Sequence, residues 1–124
     1  QQPDGYINTF YTLTGLDKRW TNMDKHEMYC AGHMIEAGVA YYQATGKRKL
    51  LDVCIRMTDH MMSQFGPGKR HWVPGHEEIE LALVMEPGLL SRYRSRPATY
   101  RYLRACGTMY VFVLRYGRCG CLEE

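Results

Sequence analysis

The residues able to do chemistry gather in two short runs. One is His26-Glu27-Met28-Tyr29-Cys30-Ala31-Gly32-His33; the other is Pro74-Gly75-His76-Glu77-Glu78-Ile79-Glu80-Leu81. Each sets histidine, carboxylate and glycine on or beside a helix. A buried apolar helix needs none of these, so both runs point to a polar pocket. His26, Cys30 and His33 are spaced i, i+4 and i+7 and share one helix face. That face offers donors of the types zinc takes. It equally suits a small core cysteine between a helix-start histidine and a histidine bonded to a neighbour. His76 with Glu77, Glu78 and Glu80 has the makings of an acid–base cluster. Adjacent glutamates on a helix point to different faces, however, and acids in a first turn also complement the helix dipole. Imidazole both donates and accepts, which suits recognition of hydroxyl groups.

Helices must carry these runs. Asp24 reads as an N-cap for a helix from Lys25 to Ala44, closed by Gly46. Lys25, Glu36 and Gln43 form its solvent stripe. Met28, Ile35, Val39 and Tyr42 on one side, and Cys30, Met34, Ala37 and Tyr41 on another, make it apolar around most of its circumference, so it is expected to be largely buried. Lys49 to Gln64 is a second helix, with a polar stripe of Asp52, Arg56, Asp59 and Ser63. Leu50, Leu51, Cys54, Ile55, Met57, Met61 and Met62 cover its other side, the methionines as core filler. The short charged connection Thr45–Arg48 favours an antiparallel hairpin. Phe65-Gly66-Pro67-Gly68 stops the second helix, and His76 opens a third that buries Ile79, Ala82 and Leu83. Before all of these, residues 1–23 read as a short extended piece around Tyr6–Leu13 followed by a loop.

The 124 residues allow one domain at most. Hydrophobic content of 45% and charged content of 23% fit a globular chain. A net charge of +3 is too mild to argue for nucleic acid. No apolar run approaches the ~20 residues of a membrane helix. No signal peptide is visible, and five cysteines make no disulfide framework, so a cytoplasmic, reducing setting is expected.

Composition changes after Val84. Residues 1–84 carry net charge −1, and residues 85–124 carry +4 with seven Arg, three Cys and no Lys, Asp, Asn, Gln, His or Ile. Two parts are therefore expected: a helical segment over 1–84, and an irregular Arg- and Cys-rich tail over 85–124, out of frame or unrelated in origin. Within the tail, Tyr100–Arg104 reads as helix and Met109–Tyr116 as strand. Cys119 and Cys121 are two ligands at most, which make no zinc site alone.

Several runs, in order and spacing as well as content, resemble the bacterial beta-L-arabinofuranosidase family, glycoside hydrolase family 127. They are Gln2-Pro3-Asp4-Gly5-Tyr6-Ile7-Asn8-Thr9, Arg19-Trp20-Thr21-Asn22, Tyr29-Cys30-Ala31-Gly32-His33, Ala44-Thr45-Gly46-Lys47-Arg48, Phe65-Gly66-Pro67-Gly68 and Gly75 to Leu83. The resemblance covers about two thirds of the chain. It implies an all-α fold, in which helical hairpins form the early part of an (α/α)6 barrel. It also implies a retaining hydrolase acting on L-arabinofuranosides, with His33 and His76 lining the sugar pocket and Gln2 (or Gln1) close by. In the family the nucleophile is a zinc-bound cysteine thiolate and the acid–base is a glutamate. Both come from later barrel segments, and no counterpart stands in the matched part, so no cofactor is expected in this chain.

Retaining glycosidases hold two carboxyls ~5 Å apart, but the glutamates beside His76 are expected to support the site rather than to catalyse, with Glu80 as an inward hydrogen bonder. Trp20, Tyr6 and Trp72 either stack on sugar rings or close loops over the core. The partner expected is a carbohydrate, with no nucleic acid and no membrane. The uncovered inner faces of a partial barrel predict a homo-oligomer. The competing readings are a small oligomeric helical binding or assembly module without catalysis, and metal binding at His26, Cys30 and His33.

Overall fold

The computed structural model describes residues 1–65, 69, 70, 72, 76 and 78–85, and in the last helix the side chains of Glu78, Ile79, Ala82 and Leu83. The two elements expected in the tail, and Cys106, Cys119 and Cys121, lie outside the described residues. So do Glu77 and the side chain of Glu80.

Four α-helices follow one another: α1 Thr9–Thr14, α2 Glu27–Thr45, α3 Lys49–Gln64 and α4 Glu78–Met85. Among the described residues there is no strand, only one isolated bridge between Phe65 and Arg70. The all-α expectation therefore holds there.

Of the extended piece expected around Tyr6–Leu13, Thr9–Leu13 is helix and only Tyr6–Asn8 lie before it. Its aromatic and β-branched composition favours a strand, but no strand is present among the described residues for it to pair with. Asn8 decides the matter locally. Its backbone is extended, and its side-chain oxygen accepts from the Tyr11 N–H at 3.2 Å, which caps α1. Gly15, at φ 136°, ends the helix with its N–H on the Tyr11 carbonyl. Of α1 only Tyr11 is buried, and Phe10 and Leu13 are exposed.

The start of α2 also departs from expectation. Asp24 is no cap for this helix. It lies in a 3-10 turn, Met23–Lys25, and its own N–H is capped by the Asn22 side chain at 2.9 Å. His26 follows in the left-handed region, at φ 55°, and the helix begins at Glu27. A non-glycine residue there is uncommon, histidine less so than most. The other end agrees with the sequence: Gly46, also left-handed, donates its N–H to the Tyr42 carbonyl at 2.8 Å. Only residues 46–48 separate α2 from α3, so the two form the expected hairpin.

Helix α2 is the centre of the structure, packing against both α3 and α4. Met28, Ala31, Ile35 and Val39 from α2 meet Leu51, Cys54, Ile55, Met57 and Met61 from α3, and Ile79, Ala82 and Leu83 from α4. It is not buried all round, contrary to expectation. Cys30, Ala37, Tyr41 and Tyr42 are exposed, because α3 and α4 cover only part of its circumference. On α3 the polar stripe is where the periodicity puts it, with Asp52, Arg56 and Ser63 exposed and Asp59 half-buried.

Two glycines let backbones approach. A Cβ on Gly38 would lie 2.5 Å from the Cys54 sulfur, so α2 and α3 meet at van der Waals limits. Cys54 donates to the Met34 carbonyl at 3.2 Å, and burial pushes its thiol up to about 11. Gly5, at φ 94°, would place a Cβ 2.3 Å from the Arg56 carbonyl oxygen. The N-terminal turn is thereby clipped to α3, where the Gln1 amide donates to the Val53 carbonyl at 2.8 Å.

Candidate functional site

Both histidine runs meet on one side of α2. Tyr29 and His33 stand one turn apart, with the Tyr29 ring edge-on to His33 at 4.5 Å between centroids. The same tyrosine ring is 4.9 Å from His76, and His76 is 5.1 Å from His26. His26, His76, Tyr29 and His33 therefore form one continuous row of rings. His76 is exposed and the His33 side chain is half-exposed, so the row is open to solvent.

Carboxylates flank the His33 end. Nδ1 of His33 lies 3.1 Å from Glu78 Oε1 of α4 and 3.6 Å from Glu36 Oε2 one turn along α2. Burial, and then the neighbouring Glu78, push the Glu36 carboxyl above its ordinary range. Gly32 makes this meeting possible, since a Cβ there would lie 2.9 Å from Glu78 Cγ and 3.0 Å from the Glu78 carbonyl. Glycine precedes His33 because α4 passes directly over it.

A second polar cluster is buried on the other side of the α2 start. Glu27 is 4% exposed, and its carboxylate accepts from the Tyr6 hydroxyl at 2.5 Å and from the Trp20 backbone N–H at 2.8 Å. Trp20 is held at φ 59°, and its carbonyl accepts from Arg70. The indole N–H of Trp20 donates to His60 Nε2 at 3.2 Å, and His60 Nδ1 lies 3.4 Å from Asp4, which also pairs with Arg19 at 2.7 Å. Because His60 Nε2 accepts, the neutral ring carries its proton on Nδ1, facing Asp4. Burial lowers the His60 pKa and raises that of Glu27. For Asp4, burial acts upward, but the Arg19 and Tyr6 hydrogen bonds outweigh it and the net shift is downward.

The model of the family described as beta-L-arabinofuranosidase, GH127 catalytic domain, matches residues 1–86. The chain belongs to that family. A non-reducing end beta-L-arabinofuranosidase of Bifidobacterium longum subsp. longum is 45% identical over 68% of this GH127 chain, which spans 14% of that protein. A solved GH127 beta-L-arabinofuranosidase from Geobacillus stearothermophilus T6 superposes with a TM-score of 0.66 at 40% identity, over 87% of this chain and 20% of its own. A second solved GH127 beta-arabinofuranosidase gives 0.64 at 37%, over 81% and 18%. The helices described above are accordingly a piece of the (α/α)6 barrel.

Within this GH127 segment the predicted site residues separate into two groups. His33 and His76 come together through Tyr29. Gln2 is placed elsewhere: its amide donates to Thr12 of α1 at 3.3 Å, and its carbonyl accepts from Arg56 of α3. Tyr6 and Trp20 are core residues, 0% and 2% exposed, whose polar atoms serve Glu27 and His60. Trp72 is half-buried against Phe65, with Arg70 over its ring.

Among the described residues, the group with ligand atoms within 4.8 Å of one another is His33, Glu36 and Glu78. His26 and Cys30 are not in it, so the helical spacing of His26, Cys30 and His33 does not gather their donor atoms. The zinc thiolate implied by the resemblance does not fit the described cysteines either. Cys54 is a buried thiol that donates to a carbonyl, and Cys30 stands exposed outside the His/Glu group. No described helix is long and apolar enough to cross a membrane.

Sequence reasoning did not single out Glu36 as a site residue, nor Glu27 and His60 as the two buried groups that hold Trp20. Glu36 was hidden by its place on a stripe with Lys25 and Gln43. The signal for Glu27 was an acid at the first position of an otherwise apolar helix face.

Proposed function

We propose that this segment supplies one wall of the sugar pocket of a retaining GH127 hydrolase acting on L-arabinofuranosides. The observation that carries the reading is the open row in which Tyr29 joins His33 to His76. Two imidazoles on either side of one aromatic ring present donors and acceptors to hydroxyl groups, and the ring offers a flat apolar face to the sugar's C–H groups. Glu36 and Glu78 hold the inner edge of His33. Bond cleavage requires a nucleophile and an acid–base, and the described residues are assigned neither role. The relatives named as beta-L-arabinofuranosidases support the substrate class.

The test is NMR titration of the 15N-labelled chain with methyl beta-L-arabinofuranoside. Shifts confined to Tyr29, His33, His76 and their neighbours, abolished by His33→Ala and by His76→Ala, support the assignment. Shifts centred elsewhere, or a His33→Ala/His76→Ala double variant that binds as the parent does, refute it.

A further inference from the structure

We propose that Glu78 is a positioning residue for His33, fixing the imidazole as the Nδ1–H tautomer so that Nε2 is the atom presented to the ligand; this rests on the pocket reading given above. His33 Nδ1 faces two carboxylates, but they are not equivalent. Glu78 Oε1 at 3.1 Å is within hydrogen-bond range, and Glu36 Oε2 at 3.6 Å is beyond it. A carboxylate there accepts the Nδ1 proton and, in the neutral ring, leaves Nε2 as an acceptor. The Tyr29 ring packs against the imidazole with 87° between their planes.

The arrangement is built into the backbone. Glu78 reaches Nδ1 only because α4 crosses α2 at Gly32, where a Cβ would come within 2.9 Å of the Glu78 side chain and 3.0 Å of its carbonyl. Gly32 and His33 are adjacent, so the residue that lets the helices touch stands next to the residue they position. Glu36 has a lesser part. It lies one turn along the same helix, and its carboxylate stands farther from Nδ1 than that of Glu78, 3.6 Å against 3.1 Å.

The experiment reads the tautomer directly. Long-range 15N–1H spectra of the His33 ring, taken above the ordinary histidine range, are expected to show a protonated Nδ1 and a bare Nε2 in the parent chain. Glu78→Ala should lose this bias, and Glu78→Gln should retain it, because the amide oxygen still accepts. Gly32→Ala should fall between, since its methyl pushes Glu78 outward. With methyl beta-L-arabinofuranoside as probe, Glu78→Ala should weaken binding about tenfold, the scale of one oriented hydrogen bond, and Glu78→Gln by a few-fold at most. Circular dichroism identifies any variant that fails to fold, and the glutamine variant then carries the test. A parent ring with Nε2 protonated, or a Glu78→Ala spectrum like the parent's, overturns the proposal. If the tautomer behaves as stated but the sugar does not bind, the positioning role stands and the pocket reading falls.

Discussion

Replacing Glu27 by alanine should be among the most damaging single changes in the described part of this chain. The carboxylate is 4% exposed and accepts two hydrogen bonds from groups that are themselves buried, the Tyr6 hydroxyl and the Trp20 N–H. Truncation orphans both donors, at about 1–3 kcal/mol each. It also leaves a small cavity. Against this stands relief from burying a charge, which here pushes the Glu27 carboxyl upward. A net loss of about 3 kcal/mol follows, of the size seen when one partner of a buried charged group is removed. Glu27→Gln should cost only about 1 kcal/mol. Its carbonyl can keep the Trp20 N–H, and its amide can donate to the Tyr6 oxygen in place of accepting from it. The assay is urea unfolding at neutral pH, read as a shift in midpoint at constant slope. Alanine and glutamine variants of equal stability would refute the reasoning, because the loss would then come from charge alone. A loss below about 1 kcal/mol in the alanine variant would show that the two donors find other partners.

The remaining predictions concern pH, backbone and assembly. Burial lowers the His60 pKa in the fold, so the unfolded chain binds more protons just below the ordinary histidine value of 6.5. Stability should be full above that value and should fall as pH drops below it, and His60→Gln should flatten that part of a pH series of urea midpoints. Gly5→Ala places a methyl 2.3 Å from the Arg56 carbonyl at a left-handed φ, and should cost roughly 3 kcal/mol in thermal unfolding. Gly46→Ala has the positive φ but nothing within 4 Å, and should cost only about 1 kcal/mol. The exposed Phe10, Leu13, Met23, Tyr41 and Tyr42 predict self-association; sedimentation velocity should show species above the monomer mass, and a monomer at all concentrations would count against it.

Helix α3 was legible because its stripe repeats at i, i+4, i+7 and i+11, and no tertiary contact is needed to see it. The end of α2 was legible because Gly46 is a local signal. What escaped was set by residues distant in sequence. The start of α2 is fixed by Glu27 reaching Trp20 and Tyr6, seven and 21 positions away, and Asp24 looked like a cap only because those bonds are invisible locally. The face of Cys30, Ala37 and Tyr41 looked like core by composition, but which apolar face is covered depends on where α3 and α4 land. The pairing of His33 with His76 came from family resemblance. The pairing of His33 with Glu36 and Glu78 came from the crossing at Gly32, which spacing alone does not reveal.

His26 and Glu27 are neighbours in sequence, yet one joins the open ring row and the other anchors the buried cluster. The left-handed turn at His26 is what parts them. It works as an index mark for α2: it fixes which residue comes first in the helix, and so the angular setting of every side chain after it. A slip of one residue there would rotate the helix by about a quarter turn. Glu27 would leave its two donors and His33 would leave Glu78 in the same motion. Pocket geometry in this segment is therefore gauged from inside the core, and the aim of an exposed histidine depends on a carboxylate that never meets solvent.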